Sequence, residues 1–418
     1  MRAAMSDTRR IISAETETLL TCRPSTPGVP TTGAPDNARE NPRLAARFRK
    51  RLGDFILDVD FQATPGFTIL FGPSGAGKTT LLDCVAGLVT LGEGRIQVGE
   101  RVLTDTAARI DVPAEKRRVG YVFQTLALFP HLTIEQNVAY GIANLPRAER
   151  SGRVAAILRG LRIEPLAPRS ARDISGGESQ RVALARTLVT DPGVLLLDEP
   201  LSALDAPTKS KIIDDLRNWN NTHRIPILYV THSREEVFAL GERVIVLDGG
   251  RIVAQGTPHE VMTAPLQETV AELAGFENIF GVTVEATHPE QGCMTCRIPA
   301  RPDGNEAVFL ETPLVRAEIG STLRVGIRAG DILLATFLPR GLSARNVLPG
   351  RVVSIEQRDV IVVARVSCGL ANSGEGTAGA SVKMEAHLTL AARDSLQLEP
   401  GRQVWLVIKT HSCHLMRD

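Results

Sequence analysis

Aromatic residues are scarce in this chain: two Trp, three Tyr and twelve Phe make up 4% of 418 residues. An excess of either charge is also missing. Forty-eight Lys and Arg stand against 47 Asp and Glu, a formal net charge of +1. A nucleic-acid binder advertises itself by a basic surplus and interleaved aromatics, so that class is disfavoured. No apolar run reaches the roughly 18 residues of a membrane-crossing helix. The chain is therefore not expected to span a bilayer alone, although attachment to a membrane partner stays open. The long apolar stretch of a secretory signal is absent from the start, which points to the cytoplasm. Six cysteines without regular spacing make no disulfide framework. Cys293 and Cys296 form one CxxC and "HSCH" occupies 411–414. A zinc site needs a second well-spaced pair, so ordinary side chains in and around strands are the favoured reading.

Hydrophobic residues, by contrast, make up 43% of the chain, enough for two or three packed cores. Residues 1–42 are rich in Pro, Thr, Ser, Ala and Arg and are read as a disordered leader. From 43 to about 275, short apolar runs alternate with amphipathic stretches. "FTILF", "VLLLD", "PILYVTH" and "VIVLD" suit buried strands of a largely parallel sheet. "KTTLLDCVAGL", "ESQRVALARTLV" and "PTKSKIIDDLRNWNN" have helical spacing. An α/β domain follows, with a helical insertion at about 125–174. Beyond 275 the runs become short, β-rich and separated by Gly and Pro. Residues 276–340 are read as a β-rich linking segment and 341–418 as a small all-β domain, with "ANSGEGTAGAS" at 371–381 a flexible loop.

"GPSGAGKT" at 72–79 fits the phosphate-loop pattern between an apolar strand and a helix, the setting that motif requires. Gly72, Gly75 and Gly77 let the backbone curl around an anion, and the N–H groups from Gly72, Pro73, Ser74, Gly75, Ala76 and Gly77 to Thr80 surround it, Pro73 lending only its fixed φ. Lys78 is expected to reach the β- and γ-phosphates of ATP, and Thr79 to hold Mg²⁺ through its hydroxyl. In "VLLLDEP" four apolar residues run into Asp198, a second Mg²⁺ ligand, and Glu199, the candidate base for the attacking water. Gln124 and His232 also end apolar runs. Gln124 could touch metal or water and His232 the γ-phosphate, although a lone polar residue at a strand end usually just caps it.

"ISGGESQRVALARTL" at 174–188 closely resembles the signature of ABC transporter ATPases. The phosphate loop, Gln124, "VLLLDEP", "SALD" at 202–205 and His232 stand around it in that family's order, over roughly residues 43–260. The resemblance implies a P-loop NTPase fold and a homodimer that sandwiches ATP. Ser175, Gly176 and Gly177 of one copy would then meet the γ-phosphate held by the other, with Asp205 at the dimer interface. It also implies an aromatic beneath adenine upstream of the phosphate loop, where Phe48 and Phe55 compete and Phe55 is put forward.

One signature set and no fused membrane segment resemble a half-site importer subunit. "YVFQTLALFPHLTIEQNVAYG" at 121–141 is similar to the importer stretch that meets the permease. "SARN" followed by "VLPGRV" resembles the opening of the Mop fold of molybdate-binding proteins, which also ends the ATPase of molybdate importers. The match runs over about 342–411. It implies an oxyanion held by Ser343, Ala344, Arg345 and Lys409, whose hydroxyl, amides and cations suit a tetrahedral dianion. The expected protein is thus an ATPase subunit at the cytoplasmic face of the inner membrane. Its partners would be integral-membrane permease subunits and, indirectly, a periplasmic solute-binding protein, with no nucleic acid. Molybdate is the first cargo. Tungstate, sulfate or iron, with the last domain serving dimerisation only, is the alternative.

Overall fold

A computed structural model of the chain describes residues 43–202, 204–263, 265–299, 307–368 and 382–416. The leader expected over 1–42 and the loop expected over 371–381 lie outside the described residues.

The strands Gly66–Phe71, Val194–Asp198 and Pro226–Val230 are buried at every position. Runs with no polar face suit parallel strands covered on both sides, and these three are parallel neighbours in an eleven-stranded sheet. Val119–Val122 and Arg243–Asp248 extend the parallel part at its two sides. Register decides where the site lies. Leu70 and Asp198 both pair with Val230, so the chain leaves these strands at one level. The loops after Phe71, Asp198 and Val230 therefore open on one crevice at the carboxyl ends. The remaining strands pair antiparallel, apart from a parallel contact of Arg251–Gly256 with Phe55–Ala63. Phe55–Ala63 alternates core and solvent along its length, one face against the core. Within 125–174 lie the helices Ile134–Ala139 and Arg147–Gly160, the first capped reciprocally by Thr133 and Gln136.

The segment 276–340 does more than link. It forms a five-stranded sheet with the same strand order as the sheet that follows it. Asn278–His288 and Asn346–Arg358 are the long third strands of the two sheets. Each breaks register at the same distance from its leading asparagine, at Val284/Ala286 and Val352/Ser354. Each half also gives its last short strand to the other sheet. Leu333–Ala335 pairs with Gln403–Ile408, and His414–Met416 pairs with Thr322–Ile327. The two sheets share one core of residues such as Val282, Leu310, Ile327, Val366, Met384 and Leu406.

The leading asparagines lock the exchange. Buried Asn278 donates to the carbonyl of Glu385 at 2.9 Å and accepts from its N–H at 2.6 Å. Asn346 treats Glu311 the same way, at 2.9 and 2.6 Å. Each side chain thereby supplies the edge strand of the opposite sheet with a peptide-like partner. Phe276 and Met416 join the core of the α/β part. Arg324 pairs with Glu268 at 2.9 Å and Arg328 donates to the carbonyl of Met262 at 2.8 Å.

Candidate functional site

The loop after Phe71 is left-handed at Gly72, Gly75 and Gly77. A Cβ on Gly72 would strike the carbonyl of Leu247, and one on Gly77 would lie 2.9 Å from the Phe55 ring. Side chains are thus excluded from the wall that must curl around an anion. The helix Lys78–Ala86 follows at once. Lys78 is buried and donates to the carbonyls of Gly72 and Pro73, at 2.9 and 2.8 Å. Burial lowers its pKa, while Glu199 and Asp198 oppose that.

A cleft of about 430 Å³ is lined by Phe55, Gly72, Ser74, Gly75, Gly77, Lys78, Thr79, Thr80, Gln124, Asp198, Glu199 and His232. Of the residues expected from the phosphate loop, Pro73 and buried Ala76 do not line it. Position along the strands separates the two aromatic candidates, which share the core face of the pleat. Phe48 is packed in the core, 2% exposed, whereas Phe55 borders the cleft.

Thr79 Oγ1 donates to Asp198 Oδ2 at 2.9 Å. Burial raises the Asp198 carboxyl above its ordinary pKa, the Thr79 hydroxyl pulls it back, and neighbouring Glu199 adds to the rise. A hydroxyl, a desolvated carboxylate and the Gln124 amide form an oxygen-rich set that suits Mg²⁺. Among the described residues no group of three His, Cys, Asp or Glu converges. The donors therefore fit an ion shared with phosphate oxygens and not an all-protein cage.

Glu199 sits at φ 45°, left-handed for a residue with a side chain. Such a conformation costs about 1–3 kcal/mol and persists where surroundings over-determine it. Its N–H donates to Val230 at 3.1 Å, and its two carboxylate oxygens face His232 Nδ1 and Gln124 Nε2, both at 3.4 Å. Behind His232 lies a residue that the sequence did not single out. Glu236 accepts from Tyr229, Thr231 and Lys209 at 3.0, 2.7 and 3.2 Å. The Thr231 hydroxyl accepts from the Ser233 N–H at 3.0 Å, so the turn carrying His232 is held from beneath.

The signature residues lie elsewhere on the chain. Ser175, Gly176, Gly177 and Asp205 border a second cleft of about 670 Å³, with Arg162, Arg181 and Lys211. Ser175 caps the helix Gly176–Leu188 in a reciprocal box with Glu178. Asp205 caps Ala206–His223 through the Thr208 N–H at 3.3 Å. Arg162, which no sequence motif marked, and Arg181, within the signature, each lie 3.4 Å from buried Asp215. The phosphate loop and the signature residues thus border separate clefts of one chain.

Between Gln124 and the helical insertion, Leu126 and Ala127 are both left-handed. Arg186, on the signature helix, holds their carbonyls at 2.8 and 2.7 Å and lies over Phe129 at 5.4 Å. Phe123 and Tyr140 are exposed beside this turn.

In the last sheet Ser343, Arg345 and Lys409 are exposed and Ala344 is half-buried. Asn346 pairs with Ile408, so residues 345 and 409 stand at the next opposed positions. Cys293 and Cys296 are buried and unpaired. The thiol of Cys296 lies 3.5 Å from the Thr312 hydroxyl, and burial raises its pKa. The Cys413 thiol is pushed up to about 12. Burial thus favours the neutral thiol at Cys296 and Cys413.

Comparison with known proteins agrees with both ends of the chain. The ABC transporter family matches residues 56–202 and the TOBE domain matches residues 342–415. A "Molybdenum import ATP-binding protein ModC" from Mesorhizobium japonicum is 39% identical over 363 residues, 87% of this chain and 93% of that protein. Its namesake from Rhizobium meliloti is 38% identical, over 88% of this chain and 98% of the relative. The one from Vibrio cholerae is 37% identical, over 75% and 83%.

Proposed function

The chain belongs to the ABC transporter ATP-binding protein family, and from that premise we propose that it is the ATP-hydrolysing subunit of a molybdate importer. One observation carries the reading: a full nucleotide cleft and a TOBE domain occur in one chain that matches molybdenum-import ATPases over most of its length. Among the described residues no helix is long and apolar enough to cross a membrane. Attachment is therefore peripheral, through permease subunits that contact the turn around Phe123 and Tyr140 at the cytoplasmic face.

The cleft residues divide the chemistry. Lys78 exchanges the carbonyls of Gly72 and Pro73 for phosphate oxygens, and Phe55 lies beneath the base. Mg²⁺, held by Thr79, Asp198 and Gln124, supplies charge neutralisation at the phosphates when bound. Glu199 accepts the proton of the attacking water, while His232 and Gln124 fix its two oxygens. Ser175, Gly176 and Gly177 of a second copy close over the γ-phosphate, with Asp205 at the seam. Closure and reopening of that dimer bias the permease between its two states.

At the other end Ser343, Ala344, Arg345 and Lys409 bind the oxyanion and report its internal level. The test is ATP hydrolysis by the assembled transporter across a molybdate series. Hydrolysis should fall as molybdate rises, and the Arg345→Ala transporter should lose that response. A flat response in the wild type would remove the sensing role and leave the ATPase role standing.

A further inference from the structure

The two C-terminal sheets follow one plan, and that plan aligns individual residues as well as strands. Pairing of the third strand ends at Asn278 opposite Ile327 in one sheet and at Asn346 opposite Ile408 in the other. Glu277 therefore corresponds to Arg345, Arg328 to Lys409, and Ala329 to Thr410. A short 3-10 turn follows in both cases, Ala329–Asp331 and Thr410–Ser412.

What stands at these matching places differs in the sign of charge. In the second repeat Arg345 and Lys409 are two exposed cations at opposed positions. Neither has an ion-pair partner among the described residues, and the N–H of Thr410 has no acceptor among them. In the first repeat the matching positions hold one carboxylate, Glu277, and one cation, Arg328. The Glu277 Oε2 accepts the Ala329 N–H at 2.8 Å, the bond whose counterpart the second repeat leaves open. Arg328 is turned away, over the Phe276 ring at 4.5 Å and onto the carbonyl of Met262. Gly275 stands where Ser343 would be, and a Cβ there would strike the Arg234 guanidinium. No hydroxyl fits at that place.

We propose that the tandem repeat holds one open and one internally closed oxyanion site, with the Glu277 carboxylate as the built-in anion of the closed one. This rests on the reading of residues 343–345 and 409 as the oxyanion site. Two like charges brought together repel until a counter-charge arrives. The first repeat carries its counter-charge covalently, whereas the second must take it from solution as a tetrahedral dianion. The chain then binds one such anion, and the N–H of Thr410 joins its ligands. The closed half, tied to Met262 through Arg328 and to Glu268 through Arg324, serves as the fixed joint to the ATPase domain.

Hydrogen exchange by mass spectrometry on the full chain tests this, with peptides covering 403–413 and 322–331 and the strand Ile361–Cys368 as a folding control. In the wild type, sodium molybdate should slow exchange over 403–413 and leave 322–331 unchanged. Arg345→Glu copies the closed arrangement, so 403–413 should be slow without molybdate and insensitive to it. Arg345→Ala should exchange fast in both conditions. Conversely, Glu277→Ala, which removes the acceptor of the Ala329 N–H, should speed exchange over 322–331 while the control strand keeps its protection. An Arg345→Glu chain that exchanges like Arg345→Ala overturns the proposal, as does a Glu277→Ala chain unchanged over 322–331. Indifference of the wild type to molybdate removes the oxyanion assignment itself. The comparison of Glu with Ala at 345 still decides whether the two places are equivalent.

Discussion

At the residue scale, Asp198 and Glu199 are adjacent carboxylates that differ in surroundings. Asp198 is buried against Thr79 and its pKa is raised. A raised value in the fold means that the neutral acid is the better-folded form. Its contribution is complete below the ordinary carboxylate range and is lost as pH rises through the raised value. At neutral pH the ionised group therefore weakens the nucleotide-free chain. Asp198→Asn, which keeps an oxygen for Thr79, should raise Tm without nucleotide and abolish hydrolysis. Thermal unfolding at pH 7 checks the first part, and a lower Tm would contradict the assignment of strain to charge. Glu199→Gln leaves the left-handed backbone in place but removes the proton acceptor. It should retain ATP binding and slow hydrolysis by about 10²–10⁴-fold, the usual effect of losing a general base; single-turnover kinetics would show it. These two residues were legible in the sequence because an unbroken apolar run delivers them to a strand end. The choice between Phe48 and Phe55 was not legible, since both lie on one face of the pleat and only the fold brings the start of the second strand against the phosphate loop. Glu236 was hidden for a related reason. Its partners Tyr229 and Thr231 are near in sequence, but Lys209 arrives from another helix.

At the scale of elements, the parallel strands and the helices Lys78–Ala86, Gly176–Leu188 and Ala206–His223 followed directly from runs and periodicity. The repeat in the C-terminal part did not. Its two copies share a strand order, a bulge position and a leading asparagine, but their side chains have drifted to "NIFGVTV" and "NVLPGRV". Exchange of the last strands also pairs residues far apart in the chain, which no local pattern announces. The asparagines give the exchange a measurable consequence. Asn346→Ala would leave the Glu311 N–H and carbonyl without their side-chain partner, and Asn278→Ala would do the same at Glu385. Each unsatisfied buried group costs about 1–3 kcal/mol. Both variants should therefore be destabilised by similar amounts in urea unfolding followed through the C-terminal part. A large loss for one and none for the other would mean that the two sheets are not held in the same way.

At the scale of the whole molecule, the separation of two half-sites is the feature that governs function. The phosphate loop and the signature residues border different clefts of one chain. The contents differ: the phosphate loop with Lys78, Asp198 and Glu199 in one, the Ser175-capped helix start with Asp205 in the other. A site completed by a second copy can be tested by mixing. Chains with Lys78→Ala and chains with Gly177→Asp, both carrying Glu199→Gln to block turnover, should each retain little ATP alone. When mixed they should retain it, because a heterodimer joins one intact phosphate loop to one intact signature. A site completed within one chain leaves the mixture no better than its components. The same logic reaches the far end of the molecule. Arg186 fixes the turn beside Gln124 from the signature helix, while Arg328 and Arg324 fix the C-terminal sheets to the short helices after residue 257. In the proposed dimer, closure would then carry the turn beside Gln124 and the C-terminal sheets as attached bodies. Arg186→Met should accordingly leave ATP retention in the mixed pair intact and lower the stimulation of hydrolysis by the permease. Equal stimulation in wild type and variant would place that coupling elsewhere in the chain.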